Sequence, residues 1–466
     1  MNPRTESTRV NDVHSALNET PVSLIVRPRD TDEAAACVRE YGGRGIAVCG
    51  ARHAMGGQQF LRDSVLIDTR AMKAVRGCDA ERGLLRIGAG AVWTDVVRAC
   101  REMDGRGPHP WAIRQKQTGA DELTLGGSIA CNAHGRGLLM GPIVEDVESL
   151  RLVTPDGEAV ECSRAENAPL FALVVGGYGL FGLVTEVTLR LVPRRPMRRL
   201  VDIIDIDDAV RAVERRIADG CVYGDFQYAI DPADAGFLRR GVFACYRPDD
   251  GATVTSGESD LTRDQWIGLL RLAHTDKRAA FEKYSAHYLA SHGRVYWSDD
   301  LQLSTYIPSY SEFLTHDSAA AHARESLVIT ELYVPPDRLG EFLAAARGVL
   351  RESGVEDIYG TIRSIRRDDT TFLPWASRDW ACIIFNLRTP HTGAGIDRSR
   401  GTARALIDAA AGFGGSFFLT YHRWAAREQL LRCYPRLPEF LAKKTEVDPR
   451  GVFRSDWYEH LRSILE

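Results

Sequence analysis

The sequence predicts an α+β fold in two domains. At 466 residues it is too long for one ordinary hydrophobic core. Its first part alternates short apolar strands with capped helices, and its middle carries longer strand-like runs separated by helices.

The first domain is expected over 1–197. "SLIVRP" reads as a strand and "DTDEAAACVREYGG" as a helix, since capping residues stand at its start and glycines at its end. "GIAVCG", "SVLIDT" and "LLRIGAG" follow as strands, and "VWTDVVRAC" as an amphipathic helix. "VESLRLVTPDGEAVEC" is two strands around a Pro-Asp-Gly turn. Disorder is expected only in the polar first dozen or so residues.

The proline- and arginine-rich "VPRRPMRRLV" marks a crossing into a second domain, 198–412. Its strands are "DFQYAID", "GVFACYRP", "LVITELYVP", "IYGTIRSIRR" and "WACIIFNLRTP"; its helices lie in "DQWIGLLRLAHTDKRAAFEKYSAHYLAS", from about Asp337 to Arg351, and near Arg404. The pattern suggests one antiparallel sheet with helices on one face. A last segment, 413–466, holds "GGSFFLTYHRW", a helix through "REQLLRCYPRLPEFLAKK" and the closing "DPRGVFRSDWYEHL".

Composition excludes several classes of function. A net charge of −4 and a pI near 6.3 give no basic footprint, so no nucleic-acid partner is expected. The ten cysteines form no C-x-x-C pair, and no metal-ligand set is found, so neither a disulfide framework nor a metal is expected. Residues such as Cys37, Cys100 and Cys382 read as small buried hydrophobes. The N-terminus has no apolar h-region, and the longest apolar stretch, "LFALVVGGYGLFGLV", is broken by glycines; a cytoplasmic protein without a membrane span is expected.

Three glycine clusters invite a ligand. "GYGLFG" matches G-x-G-x-x-G, but the strand-like "LVTEVTLRLVP" follows it where a dinucleotide fold needs a helix, so it reads as a tight turn. "GARHAMGGQQ" and "TLGGSIACNAHGRG" are better candidates, because successive N–H groups on such loops cradle a diphosphate without any lysine.

Taken in order, "GIAVCGARHAMGGQQ", "LLRIGAGAVWTDVV", "TLGGSIACNAHGRG", "VEDVESLRLVTPDGE" and "GGYGLFGLVTEVTLRLVP" resemble the FAD-binding domain of the vanillyl-alcohol oxidase (PCMH) type flavoproteins, and the C-terminal "YPRLPEFLAKKTEVDPRGVFRSDW" is similar to the tail of that family. The resemblance implies a PCMH-type FAD domain, a substrate domain, a tail that returns to the FAD domain and completes the active site, and a flavin ring at the domain interface. FAD contacts carried over from it are Gly50, Arg52, His53, Gly56, Gly57, Gly119, Gly126, Gly127, Ser128, His134, Gly135 and, through its backbone, Val184. His53 matches the histidine that bonds the 8α carbon of the flavin in covalent members. The cysteine of doubly attached members has no counterpart before the glycines of the second loop, where Leu123 and Thr124 stand.

Sugar and alditol oxidases of the family carry a late lysine near flavin N1, and here that position falls on Tyr421 or His422. His422 is expected as general base, since imidazole titrates near neutrality. Tyr421 is expected to hold the substrate oxygen and Arg423 to stabilise reduced flavin. Arg363 matches a substrate-facing arginine, and strand alternation puts Thr361 on the same face.

The leading expectation is an FAD-dependent oxidase or dehydrogenase that converts an alcohol of a small, polar, sugar-like molecule to a carbonyl, with oxygen or another acceptor taking the electrons. The alternatives are dehydrogenation or cyclisation of an aromatic or alkaloid-type product, and a flavin- or metabolite-binding protein without turnover.

Overall fold

The computed structural model describes residues 8–103, 111–255, 261–303, 313–314 and 324–466. Three strands near the N-terminus form a parallel sheet, in the order Leu24–Val26, Val65–Asp68, Ile46–Cys49. Parallel pairing needs a crossover, and the helix Thr31–Tyr41 supplies it. Its N-cap Asp30 accepts from the Glu33 amide, and its buried stripe of Ala34, Ala35 and Val38 packs on the sheet with Ile46 and Ile67. The middle strand is buried at all four positions, as both faces of a parallel sheet require.

A six-stranded antiparallel sheet follows, centred on Leu183–Pro193, whose residues alternate buried and less buried along most of its length. Leu84–Gly88, Val147–Val153 and Trp111–Ile113 all pair with it. The strand after "GYGLFG" is therefore real, and a dinucleotide turn is ruled out there.

Between Pro193 and Pro196 the chain passes into an eight-stranded sheet in which every pairing is antiparallel. Its central strands are Arg240–Pro248, Tyr223–Tyr228, Asp357–Ile365 and Trp380–Pro390. Phe226, Phe243 and Ile362 point to one face, toward the helix Ala209–Ala218; the helices Leu339–Ser353 and Gly393–Gly412 pack against each other beside it. Asp225, Gln227, Thr361 and Arg363 point to the other face, toward the glycine turns. A two-helix arm, Arg263–Thr275 and Lys277–Ala290, folds over the edge of that inner face, with Phe281, Tyr284 and Tyr288 on Val201, Val242 and Ala244.

The final segment adds Ser416–Phe417 to the sheet edge and then leaves it. The expected single helix through "REQLLRCYPRLPEFLAKK" is two, Arg427–Cys433 and Leu437–Val447, because Pro435 cannot continue the first. A buried ion pair, Lys444 with Asp448, then turns the chain back. Asp448 accepts from the amides of Val452 and Phe453 at 2.9 Å, and Val452 and Arg454 bond the backbone of Ile46 at 2.7 and 2.9 Å, extending the parallel sheet.

The N-terminal dozen departs from expectation. Residues 1–7 lie outside the described residues, but Thr8–Val10 pairs with Thr20–Val22, and buried Asp12 accepts from the amides of His14, Ser15 and Ala16. A polar stretch is ordered here because one aspartate satisfies a whole turn of backbone donors.

Candidate functional site

The strand Ile46–Cys49 ends in the turn that opens with Gly50. A Cβ on Gly50 would stand 1.9 Å from Thr124 Oγ1, so only glycine lets this turn touch the second glycine loop. Arg52 adopts φ +64°, a left-handed conformation that costs a side-chain-bearing residue and concentrates at functional sites. In the second loop Thr124 caps the helix Leu125–Ala130, and the Gly126 amide donates to Ala89 O at 2.7 Å.

Between these turns and the inner face of the eight-stranded sheet runs one continuous cavity. The two glycine loops, Val184 and Thr420–Tyr421 wall one end; Arg136, Arg199, Asp225, Tyr246 and Tyr288 wall the other. Buried polar atoms gather on it without a protein partner among the described residues: Arg52 Nε, Gln59 Oε1, Thr361 Oγ1, Arg363 Nε and Thr420 Oγ1. Buried polar groups are normally paired, so this set fits a ligand rich in donors and acceptors, as FAD is.

His53 lies on the cavity wall, and its Nδ1 is 2.8 Å from His14 Nε2. Burial, and then the neighbouring His14, push its pKa down to about 3, so the ring is neutral near neutrality. Across the cavity, Gln117 Nε2 donates to the Tyr421 hydroxyl at 2.9 Å, and the Arg363 guanidinium bonds Thr118 Oγ1. Burial holds the Tyr421 hydroxyl well above its ordinary range, so it stays protonated and its own hydrogen is free to donate. Lys116, fully buried one residue before Gln117, is held by Asp121 at 2.5 Å.

Of the sequence-predicted residues, Gly50, Arg52, His53, Gly119, Gly126, Gly127, Val184, Thr361, Arg363 and Tyr421 line the cavity. His422 does not. It follows Tyr421 on the opposite side of the chain, stacks on Trp424 at 4.9 Å and sets Nε2 3.3 Å from Thr330 Oγ1, while burial lowers its pKa to about 4. Arg423 also points away, bonded to Asp456 O and Asn18 Oδ1.

Gly56, Gly57, Ser128, His134 and Gly135 stand behind the wall. Gly56 is tied to Gln58 Oε1, Gly57 packs on Arg423, Ser128 Oγ accepts from Trp93 Nε1 and donates to Thr124 O, and the Gly135 amide donates to Gln115 Oε1. His134 meets Glu331 at 2.9 Å, and Glu331 also accepts from Tyr333 at 2.5 Å, with Cys382 Sγ 3.8 Å from the same His134 nitrogen. Sequence spacing had left His134 without metal-ligand partners; the fold supplies two, from distant strands, already engaged in hydrogen bonds.

Sequence reading missed His14, Gln117, Arg136, Arg199 and Asp225. "RQKQTGAD" carried the one usable signal, a run of polar residues leading into a glycine loop.

The fold and the cavity fit a class, flavin-binding proteins with a site between two sheets, and comparisons with known proteins bear on it. Residues 22–163 match the FAD binding domain family. The chain is 30% identical over 213 residues to cytokinin dehydrogenase 8 of Oryza sativa subsp. indica, covering 41% of this chain and 38% of that protein. It is 30% identical over 263 residues to an uncharacterized oxidoreductase of the fasciation locus of Rhodococcoides fascians, covering 53% and 57%. It is 22% identical over 472 residues to decaprenylphosphoryl-beta-D-ribose oxidase of Mycolicibacterium smegmatis, covering 97% and 95%. The chain thus spans little more than a third of the cytokinin dehydrogenase it matches. These matches support an FAD-binding oxidoreductase family of the PCMH type for this chain, with FAD as cofactor. Among the described residues no helix is long and apolar enough to cross a membrane.

Proposed function

We propose that this FAD-dependent oxidoreductase oxidises an alcohol of a small polar substrate to a carbonyl. The flavin supplies the hydride acceptor. The observation that carries the reading is the polar wall of Tyr421, Gln117, Thr361 and Arg363 beside the glycine turns. Tyr421 donates to the substrate oxygen as the hydroxyl proton passes to water in the cavity, Thr361 Oγ1 and Arg363 orient the neighbouring hydroxyls, and Arg363 takes the charge-stabilising role first expected of Arg423. Gly50, Arg52, Gly119, Gly126, Gly127 and Val184 hold the cofactor, with His53 as the residue of covalent attachment. A small-molecule substrate and oxygen, or another acceptor, are the partners.

A second reading, dehydrogenation of an aromatic natural product, is favoured by the rings of Trp266, Tyr246, Tyr288 and Tyr296 on the same cavity. The likeness to cytokinin dehydrogenase covers 41% of this chain.

The experiment is anaerobic mixing of the yellow protein with polyols, sugars, benzylic alcohols and cyclic amines while the visible flavin absorbance is followed. Bleaching by alcohols and not by amines supports the reading; bleaching by amines alone selects the second; no bleaching by any donor supports a binding protein without turnover.

A further inference from the structure

Beyond Tyr421 the cavity runs between the strands Pro196–Asp205, Tyr223–Tyr228 and Arg240–Pro248 and the helix Lys277–Ala290. Two guanidiniums are buried there. Arg199 is 7% exposed and donates through Nε to the Tyr246 hydroxyl and through Nη1 to Ser291 Oγ, both at 3.0 Å. Arg136 is 7% exposed and bonds Leu301 O. Their flat faces rest on aromatic rings: Arg199 over Tyr296 at 4.3 Å and Tyr288 at 5.3 Å, Arg136 over Tyr246 at 4.7 Å.

The charges do not balance. Among the described residues Asp225 is the one carboxylate within ion-pair reach of either arginine, with Oδ1 3.5 Å from Arg136 and Oδ2 already accepting from Gln227 Nε2 at 2.7 Å. Two cations thus stand beside one anion, which is within ion-pair reach of Arg136, and cation–π contact is weaker compensation than an ion pair. One buried donor on this part of the wall, Arg136 Nε, lacks a hydrogen-bond partner among the described residues, as do two acceptors, Asp225 Oδ1 and Gln302 Oε1, which call for a ligand hydroxyl beside the anion. Uncompensated buried charge is costly, and a protein keeps it where a ligand supplies the counter-charge.

We propose that this end of the cavity is an anion subsite: Arg136 and Arg199 hold a carboxylate or phosphate group of the substrate, whose body lies against Tyr246 and Tyr296 and extends toward Tyr421. The inference rests on the reading of the cavity as the substrate site and narrows the substrate to an anionic molecule. Asp225 sets a limit on affinity, since it repels the same group that the arginines attract.

The test is isothermal titration of the FAD-loaded protein with benzoate, phenyl phosphate and the neutral benzamide. Benzoate or phenyl phosphate is expected to bind about ten-fold or more tighter than benzamide, and the stronger of the two identifies carboxylate or phosphate as the natural group. Arg136→Gln and Arg199→Gln should each abolish the preference, and Asp225→Asn should increase it. Equal binding of benzamide, a preference that survives both arginine changes, or weaker anion binding in Asp225→Asn overturns the proposal. Retained flavin colour reports folding, and if the arginine variants lose it, the direction of the Asp225→Asn effect decides. Anion preference without reduction of the flavin by any alcohol sinks alcohol oxidation and keeps the subsite; reduction by neutral alcohols without anion preference does the reverse.

Discussion

Nε2 of His14 lies 2.8 Å from Nδ1 of His53, so a residue from the extreme N-terminal segment fixes the imidazole that faces the cavity. The contact engages Nδ1, so under the proposed attachment at His53, Nε2 is the nitrogen that would bond the flavin. His53→Ala is expected to bind FAD but release it into the supernatant on acid precipitation, and His14→Ala to lower the fraction retained in the pellet without lowering total bound FAD. Full retention in His53→Ala would refute attachment at this residue.

Tyr421→Phe keeps the ring and removes the donor that Gln117 orients. The rate of flavin reduction by a productive alcohol should fall by roughly ten- to a hundred-fold, with the flavin spectrum unchanged. Stopped-flow reduction measures it, and an unaltered rate would remove Tyr421 from the chemistry.

His422 offers the opposite contrast. Its pKa drops from the usual 6.5 to about 4 through burial, so the unfolded chain binds a proton that the folded chain refuses. Its stabilisation is fully present above pH 6.5 and is lost as pH falls from there toward 4, a window in which buried His53 acts with the same sign. His422→Gln should flatten the fall of the urea midpoint with pH across this window, while the flavin reduction rate stays near that of the unaltered protein. A collapse of that rate would restore the role of base to His422.

Gly50→Ala places a methyl carbon where Thr124 Oγ1 already stands, 1.9 Å away. Overpacking of this kind typically costs about 1–3 kcal/mol, and here it also parts the two glycine turns. Lower thermal stability together with weakened FAD retention is expected, measured by melting with and without added FAD. Gly119→Ala meets no atom within 4 Å but has φ +83°, so it should suffer from backbone strain alone.

Most strands and the glycine turns on the cavity were legible because they depend on local signals: the alternation of Leu183–Pro193, the cap at Asp30, the glycines around His53. Which residue of "GGSFFLTYHRW" meets the cavity was not. Tyr421 and His422 are neighbours in the chain, and only the turn after Ser416–Phe417 decides which of them meets the cavity. Arg136, Arg199 and Asp225 come from three separated stretches, so no spacing in the sequence announces that they meet. His134 looked like a loop residue beside the flavin, whereas its partner Glu331 comes from a strand far along the chain and draws the ring behind the wall.

The backbone bonds between Ile46 and the segment Val452–Arg454 bear on the order in which the molecule is made. The parallel sheet that begins the first glycine turn gains its outer partner from a segment far along the chain. Closing so distant a contact is slow, and it cannot precede synthesis of Val452–Arg454. The first glycine turn is therefore secured only once this distant segment has folded back, and a chain cut before Leu437–Val447 would carry the whole glycine-loop motif without the segment that secures its first turn.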